Sequence, residues 1–182
     1  TEHFLPAGTL IPVTFVTGPT AFLPEGVEIV RVESAQEMRA AMIGRFAEAA
    51  VVVMAAAVSD YRSVKYYPDK LKKSGERFTL ELVRNPDILR ELGRRKRPGQ
   101  VLVGFAAETE NLFANAQRKL EAKNLDLLVL NEISEENPAF GCEENQVYFV
   151  RADGVRKLER MAKALIAARV WDEVAALAAR GR

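Results

Sequence analysis

The chain has 182 residues, of which 48% are apolar and 28% charged, and its formal net charge is +1. This length and composition are typical of one globular domain with its own core, and the small net charge favours neither nucleic acid nor an acidic membrane as a partner. A single cysteine, Cys142, and a single histidine, His3, exclude an internal disulfide and argue against a Cys/His zinc site or a Ser-His-Asp triad, so we expect a cytoplasmic protein without nucleic-acid or membrane partners.

The first part of the chain predicts three short strands and one helix. Residues 13–17 and 27–32 are short runs rich in β-branched side chains, and Gly18-Pro19 closes the first run with a turn signature. A capping box, Ser34-Ala-Gln-Glu37, opens a predicted helix that ends near residue 50. The apolar residues 51–57 then favour a strand buried on both faces of a parallel sheet.

The second part alternates strands with helices and ends with a hairpin. Asn85 is a predicted helix cap, with Pro86 at the first helical position. Further strands are predicted at 78–83, 101–106 and 125–130, helices at 85–96, 109–122 and 160–180, and hairpin strands at 146–150 and 155–158. This order predicts an α/β fold, a Rossmann-like three-layer sandwich with a mainly parallel sheet and an antiparallel hairpin near the C-terminus. No linker or repeat divides it, so we expect one domain over residues 1–182.

Polar groups follow the predicted strand ends. Gly18-Pro19, residues 56–60, residues 105–109 and Asn131 each follow a strand, and we expect all four to lie at one edge of the sheet. Ligands of open α/β sheets bind outside the carboxyl ends of the strands. Asp60 is suited to accept hydrogen bonds from a sugar or to hold a metal, and the lysines at 70, 72 and 73 are suited to neutralise phosphates. From this segment alone, a solvated loop after a core strand stays open.

Two further features have both an ordinary and a functional interpretation. Lys119 and Lys123 are four residues apart and share a helical face, which is typical of a solvated surface but is also suited to bind an anion. Asn85-Pro86-Asp87 opens a helix whose N-terminal amides can hold an anion or a base edge, although capping alone explains it.

Five motifs occur together in order along the chain. They are Ala-Ala-Val-Ser-Asp-Tyr-Arg (56–62), Lys-Leu-Lys-Lys (70–73), Asn-Pro-Asp-Ile-Leu (85–89), Val-Gly-Phe-Ala-Ala-Glu-Thr (103–109) and Lys-Asn-Leu-Asp (123–126). Their order and spacing resemble phosphopantothenoylcysteine synthetase, which in bacteria is usually the C-terminal half of a bifunctional coenzyme A biosynthesis protein. The resemblance covers roughly residues 13–170.

The resemblance implies a reaction and a set of partners. The family activates 4′-phosphopantothenate with CTP, with Mg²⁺ assisting, to form an acyl-cytidylate and pyrophosphate, and the amine of L-cysteine then displaces CMP. The parent protein is expected to carry a flavin decarboxylase domain, and no flavin is expected in this chain. A homodimer is implied through the hairpin, where Val147, Phe149 and Val155 form an alternating apolar face.

The resemblance also assigns site residues, all of them in a single nucleotide-binding synthetase domain. Lys70 is the implied catalytic residue and faces the triphosphate, while Asp60 contacts the ribose; no residue is assigned as a metal ligand. The implied nucleotide-binding residues are Met54, Ala55, Ala56, Asp60, Lys70, Pro86, Asp87, Ile88, Leu89, Phe105, Lys119 and Lys123.

The chain departs from the family pattern before Val13. The family begins with a strand, a Gly-rich turn and an Asn-Arg-Ser-Ser-Gly-Lys-Met-Gly-like helix start that cradles phosphate, and residues 1–12 do not match it. We therefore expect an incomplete catalytic site with little turnover. Two alternatives stay open: a nucleotide-binding module without turnover, and an interaction domain that regulates a partner through its hairpin and terminal helix. CTP is implied as the nucleotide, although some members of the wider family use ATP.

Overall fold

The computed structural model describes residues 12–20, 23–65, 67, 69–70, 76–134, 137 and 142–180. Four helices and eleven strands lie in these residues. In chain order they are β1 (Thr14–Thr17), β2 (Glu28–Arg31), α1 (Ala35–Phe46), β3 (Val51–Met54), β4 (Tyr61–Ser63), β5 (Leu82–Arg84), α2 (Ile88–Arg95), β6 (Val101–Glu108), α3 (Leu112–Ala122), β7 (Leu127–Glu132), β8 (Glu144–Asn145), β9 (Val147–Arg151), β10 (Gly154–Lys157), β11 (Met161–Ala162) and α4 (Lys163–Arg180).

A five-stranded sheet with the order β10-β9-β7-β6-β3 forms the centre of the fold. The strands β3, β6 and β7 are parallel, whereas β9 runs antiparallel to both β7 and β10. The β9–β10 hairpin turns through Ala152 and Asp153, and Gly154 follows with a φ of 148°. The predicted α/β class, with a mainly parallel sheet and a late antiparallel hairpin, is confirmed.

Both faces of this sheet are apolar, which makes the domain three-layered. Along β7, Leu128 and Leu130 point into one cluster of buried side chains, while Leu127 and Val129 point into another. The first cluster includes side chains of α1, α2 and α3, and the second includes side chains of α4. Burial of each such side chain contributes about 1.5–3 kcal/mol, so helices on both faces are needed to cover these strands.

The first two strands do not join the central sheet. β1 pairs in parallel with β2, from Thr14 opposite Glu28 to Thr17 opposite Arg31, and together they form a separate two-stranded sheet. Backbone bonds extend this pairing, because Val32 N–H donates to the Thr17 carbonyl at 2.9 Å. The expectation that Gly18-Pro19 shares one sheet edge with the later strand ends is therefore wrong.

Several element boundaries also differ from the sequence-based expectation. β6 continues to Glu108 because it stays paired with β7 as far as Glu132, so the helix predicted from residue 109 begins only at Leu112. Of the predicted 78–83 strand only Leu82 and Val83 are regular, as part of β5 (Leu82–Arg84), which pairs with β4, a strand that the sequence did not indicate. The terminal helix begins at Lys163, since the two preceding residues pair with β8.

The apolar face of the hairpin is largely covered from within the chain. Val147 and Phe149 are only 4% and 1% exposed, because Ile166 and Val170 of α4 pack in the same cluster. Val155 alone of the three predicted interface residues is exposed, at 48%. Val155 is opposite Val150, which belongs to the other core cluster, so the three side chains do not share one face. The prediction of a common apolar face for a partner to cover is therefore wrong.

None of the helices in the described residues is both long enough and apolar enough to span a membrane.

Candidate functional site

The carboxyl end of β3 lies beside the middle of β6, which continues past it to Glu108. Met54, the last residue of β3, is opposite Gly104 of β6, and Phe105 is the next residue of that strand. Ala55 and Ala56 are exposed, as is Phe105, so these groups face outward at one edge of the sheet. We call this edge the rim and define it as residues 54–60, 85–89, 104–108, 119 and 123. It is where ligands of open α/β sheets bind.

The start of α2 reaches the rim because Gly104 leaves room for it. A Cβ at Gly104 would lie 2.7 Å from Leu89 Cδ2 and 2.9 Å from Leu125 Cδ1, closer than packed carbon atoms approach. Ile88 and Leu89 are buried in the core cluster of this face. Of the four assigned residues at 86–89, only Pro86 and Asp87 are exposed. The structure therefore leaves Ile88 and Leu89 only their backbone groups to offer to a ligand.

The cap of α2 is Asp87, two residues after the predicted cap. Its Oδ1 accepts a hydrogen bond from Arg90 N–H at 3.0 Å. Asn85 is not the cap because its polar groups are used across the chain: its backbone N–H donates to the Asp60 carbonyl at 2.7 Å, and its Nδ2 donates to the Ser59 carbonyl at 2.9 Å. The predicted Asn85 cap is wrong, and its bonds instead bring the Asp60 loop beside Asp87.

Lys123 reaches the rim from the end of α3, where it is the C-cap residue. Its Nζ lies 3.0 Å from Asp87 Oδ2 and 3.1 Å from Oδ1. Its backbone is fixed by close contact with α2, since a Cβ at Gly93 would lie only 1.8 Å from the Lys123 carbonyl oxygen. Asn124 Nδ2 also donates to the Gly93 carbonyl at 3.0 Å. The glycine thus sets how closely Lys123 approaches Asp87.

Lys119 is held by a different carboxylate. Its Nζ lies 2.5 Å from Glu108 Oε1, and Asn115 Nδ2 donates to Glu108 Oε2 at 3.3 Å. The side chain of Glu108 is 14% exposed, whereas that of Asp87 is 44% exposed. Partly exposed ion pairs of this kind contribute about 0–1 kcal/mol. A ligand with several negative charges can therefore displace the carboxylates from these lysines. The displacement is easiest at Lys123, whose carboxylate partner Asp87 is the more exposed.

Asp60 and Lys70 are less well defined by their surroundings. The Asp60 side chain is exposed, and its backbone carbonyl accepts the Asn85 hydrogen bond. Lys70 is exposed as well, but residues 66, 68 and 71–75 around it lie outside the described residues, and so do the predicted phosphate-binding Lys72 and Lys73. The assignment of Lys70 to the triphosphate thus stays a prediction.

Sequence reasoning assigned no role to three residues that form or support the rim. Glu108 was visible only as a polar residue after a predicted strand, Gly93 as an isolated glycine in a helix, and Arg62 as one charge within a motif. Arg62 NH1 donates to Asn85 Oδ1 at 2.9 Å and to the Arg84 carbonyl at 3.1 Å. Each role depends on a contact more than ten residues away along the chain or on a longer strand than predicted, which local patterns do not report.

Within the described residues, no three histidine, cysteine, aspartate or glutamate side chains come together as a metal-binding group. Two surface cavities of about 330 and 320 Å³ lie beside the hairpin turn, at Arg151 and Glu173, and beside Lys96 and Gln100. Neither of these two cavities is lined by rim residues.

Comparison with known proteins shows which family the chain resembles. The family described as "DNA/pantothenate metabolism flavoprotein C-terminal domain" matches residues 7–177. The Coenzyme A biosynthesis bifunctional protein CoaBC of Bacillus subtilis is 39% identical over 168 residues, which cover 91% of this chain but only 41% of that protein. The chain thus spans about two fifths of the length of this relative.

Solved structures agree with this match. The crystal structure of the C-terminal domain of a Coenzyme A biosynthesis bifunctional protein CoaBC aligns with a TM-score of 0.73 and 35% identity, covering 90% of this chain and 73% of that one. A Cab2 mutant in complex with phosphopantothenate-cysteine aligns with a TM-score of 0.61 and 19% identity over 86% of this chain and 55% of that one, which supports the fold alone.

Proposed function

The chain belongs to the family of the DNA/pantothenate metabolism flavoprotein C-terminal domain, and on that premise we propose that it is a phosphopantothenate–cysteine ligase of coenzyme A biosynthesis. The observation that carries the proposal is the convergence of the Asp60 loop, the start of α2 and Lys123 on the rim. The resemblance seen in the five motifs is confirmed at the level of the family. The similarity to bifunctional CoaBC proteins supports a role beside a flavin decarboxylase domain in a longer parent protein.

The proposed reaction has two steps. A carboxylate oxygen of 4′-phosphopantothenate attacks the α-phosphorus of CTP, and pyrophosphate leaves with formation of the acyl-cytidylate. The amine of L-cysteine then attacks the acyl carbon, loses a proton and displaces CMP. Charge grows on the departing phosphate oxygens in the first step, so positioned ammonium groups favour it.

The rim residues fit these demands by their chemistry. The exposed Asp60 carboxylate is suited to accept a ribose hydroxyl, and the backbone groups of residues 54–56 and 86–89 are suited to the base. Lys119 and Lys123 pair with the phosphates as these replace the neighbouring carboxylates. Lys70 adds its charge to the triphosphate from the segment after Pro68.

Mg²⁺ is proposed to arrive with the nucleotide. This ion keeps several waters and takes one or two carboxylates together with substrate phosphates. The described residues provide no group of three ligands, but Asp60 is exposed at the rim. The residues therefore fit an ion that is held mainly by the triphosphate, where it neutralises phosphate charge.

A homodimer and a cytoplasmic location complete the proposal. With the hairpin face covered by α4, the homodimer is better supported by exposed apolar side chains near β4 and β5, among them Tyr61, Val64, Phe78, Leu80 and Leu82. The cytoplasmic location rests on cysteine usage alone. Light scattering at micromolar concentration tests the dimer, which is expected for the wild type and weakened by Leu82→Asp.

Pyrophosphate release tests the ligase directly. Two proteins are compared: the chain itself, and the same chain with the Gly-rich segment of the family fused to its N-terminus. Each is incubated with CTP, 4′-phosphopantothenate and L-cysteine. We expect release that requires both CTP and 4′-phosphopantothenate in the fused form, with one CMP formed for each product molecule. Binding of CTP without release in either form would favour the second candidate, a nucleotide-binding module without turnover.

A further inference from the structure

Asn85 makes more connections than any capping role requires. Its backbone N–H donates to the Asp60 carbonyl at 2.7 Å, its Nδ2 donates to the Ser59 carbonyl at 2.9 Å, and its Oδ1 accepts from Arg62 NH1 at 2.9 Å. One residue therefore connects the loop after β3 to the β4–β5 pair and to the start of α2.

The loop that Asn85 holds has little regular structure of its own. Residues 55–60 follow β3 without helix or strand, and a single bond from Val58 N–H to the Ala56 carbonyl, at 3.1 Å, closes a turn in it. Segments with few internal hydrogen bonds open at low free-energy cost unless other elements hold them. The two bonds from Asn85 to the carbonyls of Ser59 and Asp60 are positioned to prevent such opening.

The other side of Asn85 is rigid. Pro86 restricts the preceding residue to extended conformations, and Asp87 caps α2, whose Leu92 is fully buried. Arg62 NH1 also donates to the Arg84 carbonyl at 3.1 Å, so the guanidinium fixes both the amide and the end of β5. Asn85 therefore ties a weakly structured loop to α2, whose Ile88, Leu89 and Leu92 are anchored in the core.

From this geometry we infer that Asn85 is a positioning residue, which holds Asp60 at a fixed distance from Asp87 and Lys123 before any ligand binds. Its importance for the nucleotide rests on the proposed function, because Asp60 and residues 86–89 are the proposed nucleotide contacts. A site that is already ordered loses less free energy when the ligand binds. We call the two Asn85 bonds to the Ser59 and Asp60 carbonyls the clamp. Removing the clamp should thus weaken nucleotide binding without unfolding the domain.

The test combines hydrogen–deuterium exchange with CTP calorimetry. Asn85→Ala removes both side-chain bonds, Asn85→Asp keeps the acceptor for Arg62 but loses the donor to Ser59, and Arg62→Met removes only the guanidinium. Gln117→Ala is the control, because it removes a side-chain amide that bonds Glu121 within α3. Peptides from β6 and β7 serve as internal references for global stability.

We expect Asn85→Ala to speed exchange of the hydrogen-bonded amides of Val58 and of residue 85 by at least about tenfold, which corresponds to about 1.4 kcal/mol, and to raise the Kd for CTP by a similar factor. Asn85→Asp should speed exchange of the Val58 amide more than that of residues 82–84, and Arg62→Met should do the opposite. Exchange that is unchanged, or that accelerates equally in β6 and β7, would overturn the clamp, and so would faster exchange with an unaltered Kd. If the wild type binds no CTP, the proposed function fails, and the exchange pattern alone decides the clamp.

Discussion

Gly93 provides the clearest quantitative prediction, because its neighbours are backbone atoms. A Cβ placed there would lie 1.8 Å from the carbonyl oxygen of Lys123 and 2.7 Å from its carbonyl carbon. Gly93→Ala must therefore push α2 away from the end of α3. Overpacking of this kind costs about 1–3 kcal/mol, and here we expect the upper part of that range. Loss of the Asn124 hydrogen bond to the Gly93 carbonyl adds about 1 kcal/mol.

An opposing contribution comes from helix propensity, which favours alanine over glycine by about 1 kcal/mol. The net destabilisation is then about 2–3 kcal/mol, and a domain of this size loses about 2–4 °C in Tm per kcal/mol. Thermal unfolding followed by circular dichroism should therefore show a Tm lower by about 4–12 °C. Nucleotide affinity should fall as well, since Lys123 moves away from Asp87.

Gly44 supplies the matched control. It lies in α1, and nothing is within 4 Å of the position that its Cβ would occupy. Gly44→Ala should therefore gain up to about 1 kcal/mol from helix propensity alone. If Gly93→Ala stabilises the protein as Gly44→Ala does, the close contact between α2 and Lys123 does not exist, and the account of how Lys123 is positioned is wrong.

Two further predictions concern charged side chains. Lys70→Gln should slow acyl-cytidylate formation more than it weakens CTP binding, because a charged hydrogen bond contributes about 1.5–3 kcal/mol and charge grows on the leaving pyrophosphate. Lys72→Gln and Lys73→Gln are the controls. Equal effects of all three substitutions would show that Lys70 has no special role. The pKa of Glu91 is lowered mainly by its hydrogen bonds to Arg39, with Arg95 contributing. The ionised carboxylate therefore stabilises the fold fully above the ordinary pKa of 4.5. This stabilisation is lost as the pH falls through the lower pKa of the folded state. Glu91→Gln should accordingly lower Tm at pH 7. Its Tm should approach that of the wild type only as the pH falls through the lowered folded-state pKa of Glu91, and a difference in Tm that does not depend on pH would contradict this reasoning.

The central sheet could be predicted because its signals are local. The runs at 101–104 and 127–130 are continuously apolar, as is typical of strands covered on both faces, and both are confirmed with helices on each side. The hairpin was likewise visible from Ala152-Asp153-Gly154. These patterns report burial and turns, which depend on residues close together in sequence.

The parts that failed depend on distant partners. Asn85-Pro86 has the local signature of a helix start, yet the Ser59 and Asp60 carbonyls compete for the asparagine, and the helix begins later. β4 has only three residues and forms because β5 lies opposite it. The five motifs assign residues to the candidate site, and that assignment stays a prediction. The ion pairs of Lys119 and Lys123 with their carboxylates could be seen only in the folded chain.

The central claim is that the rim is a CTP site, and isothermal titration calorimetry with CTP and ATP, each with Mg²⁺, tests it most directly. We predict tighter binding of CTP than of ATP, and a loss of about tenfold or more for Lys123→Gln, as expected for a charged hydrogen bond. Lys163→Gln is the control, since this exposed lysine begins α4 on the opposite face of the sheet. ATP binding as tight as CTP binding, or an equal loss for both variants, would contradict the claim.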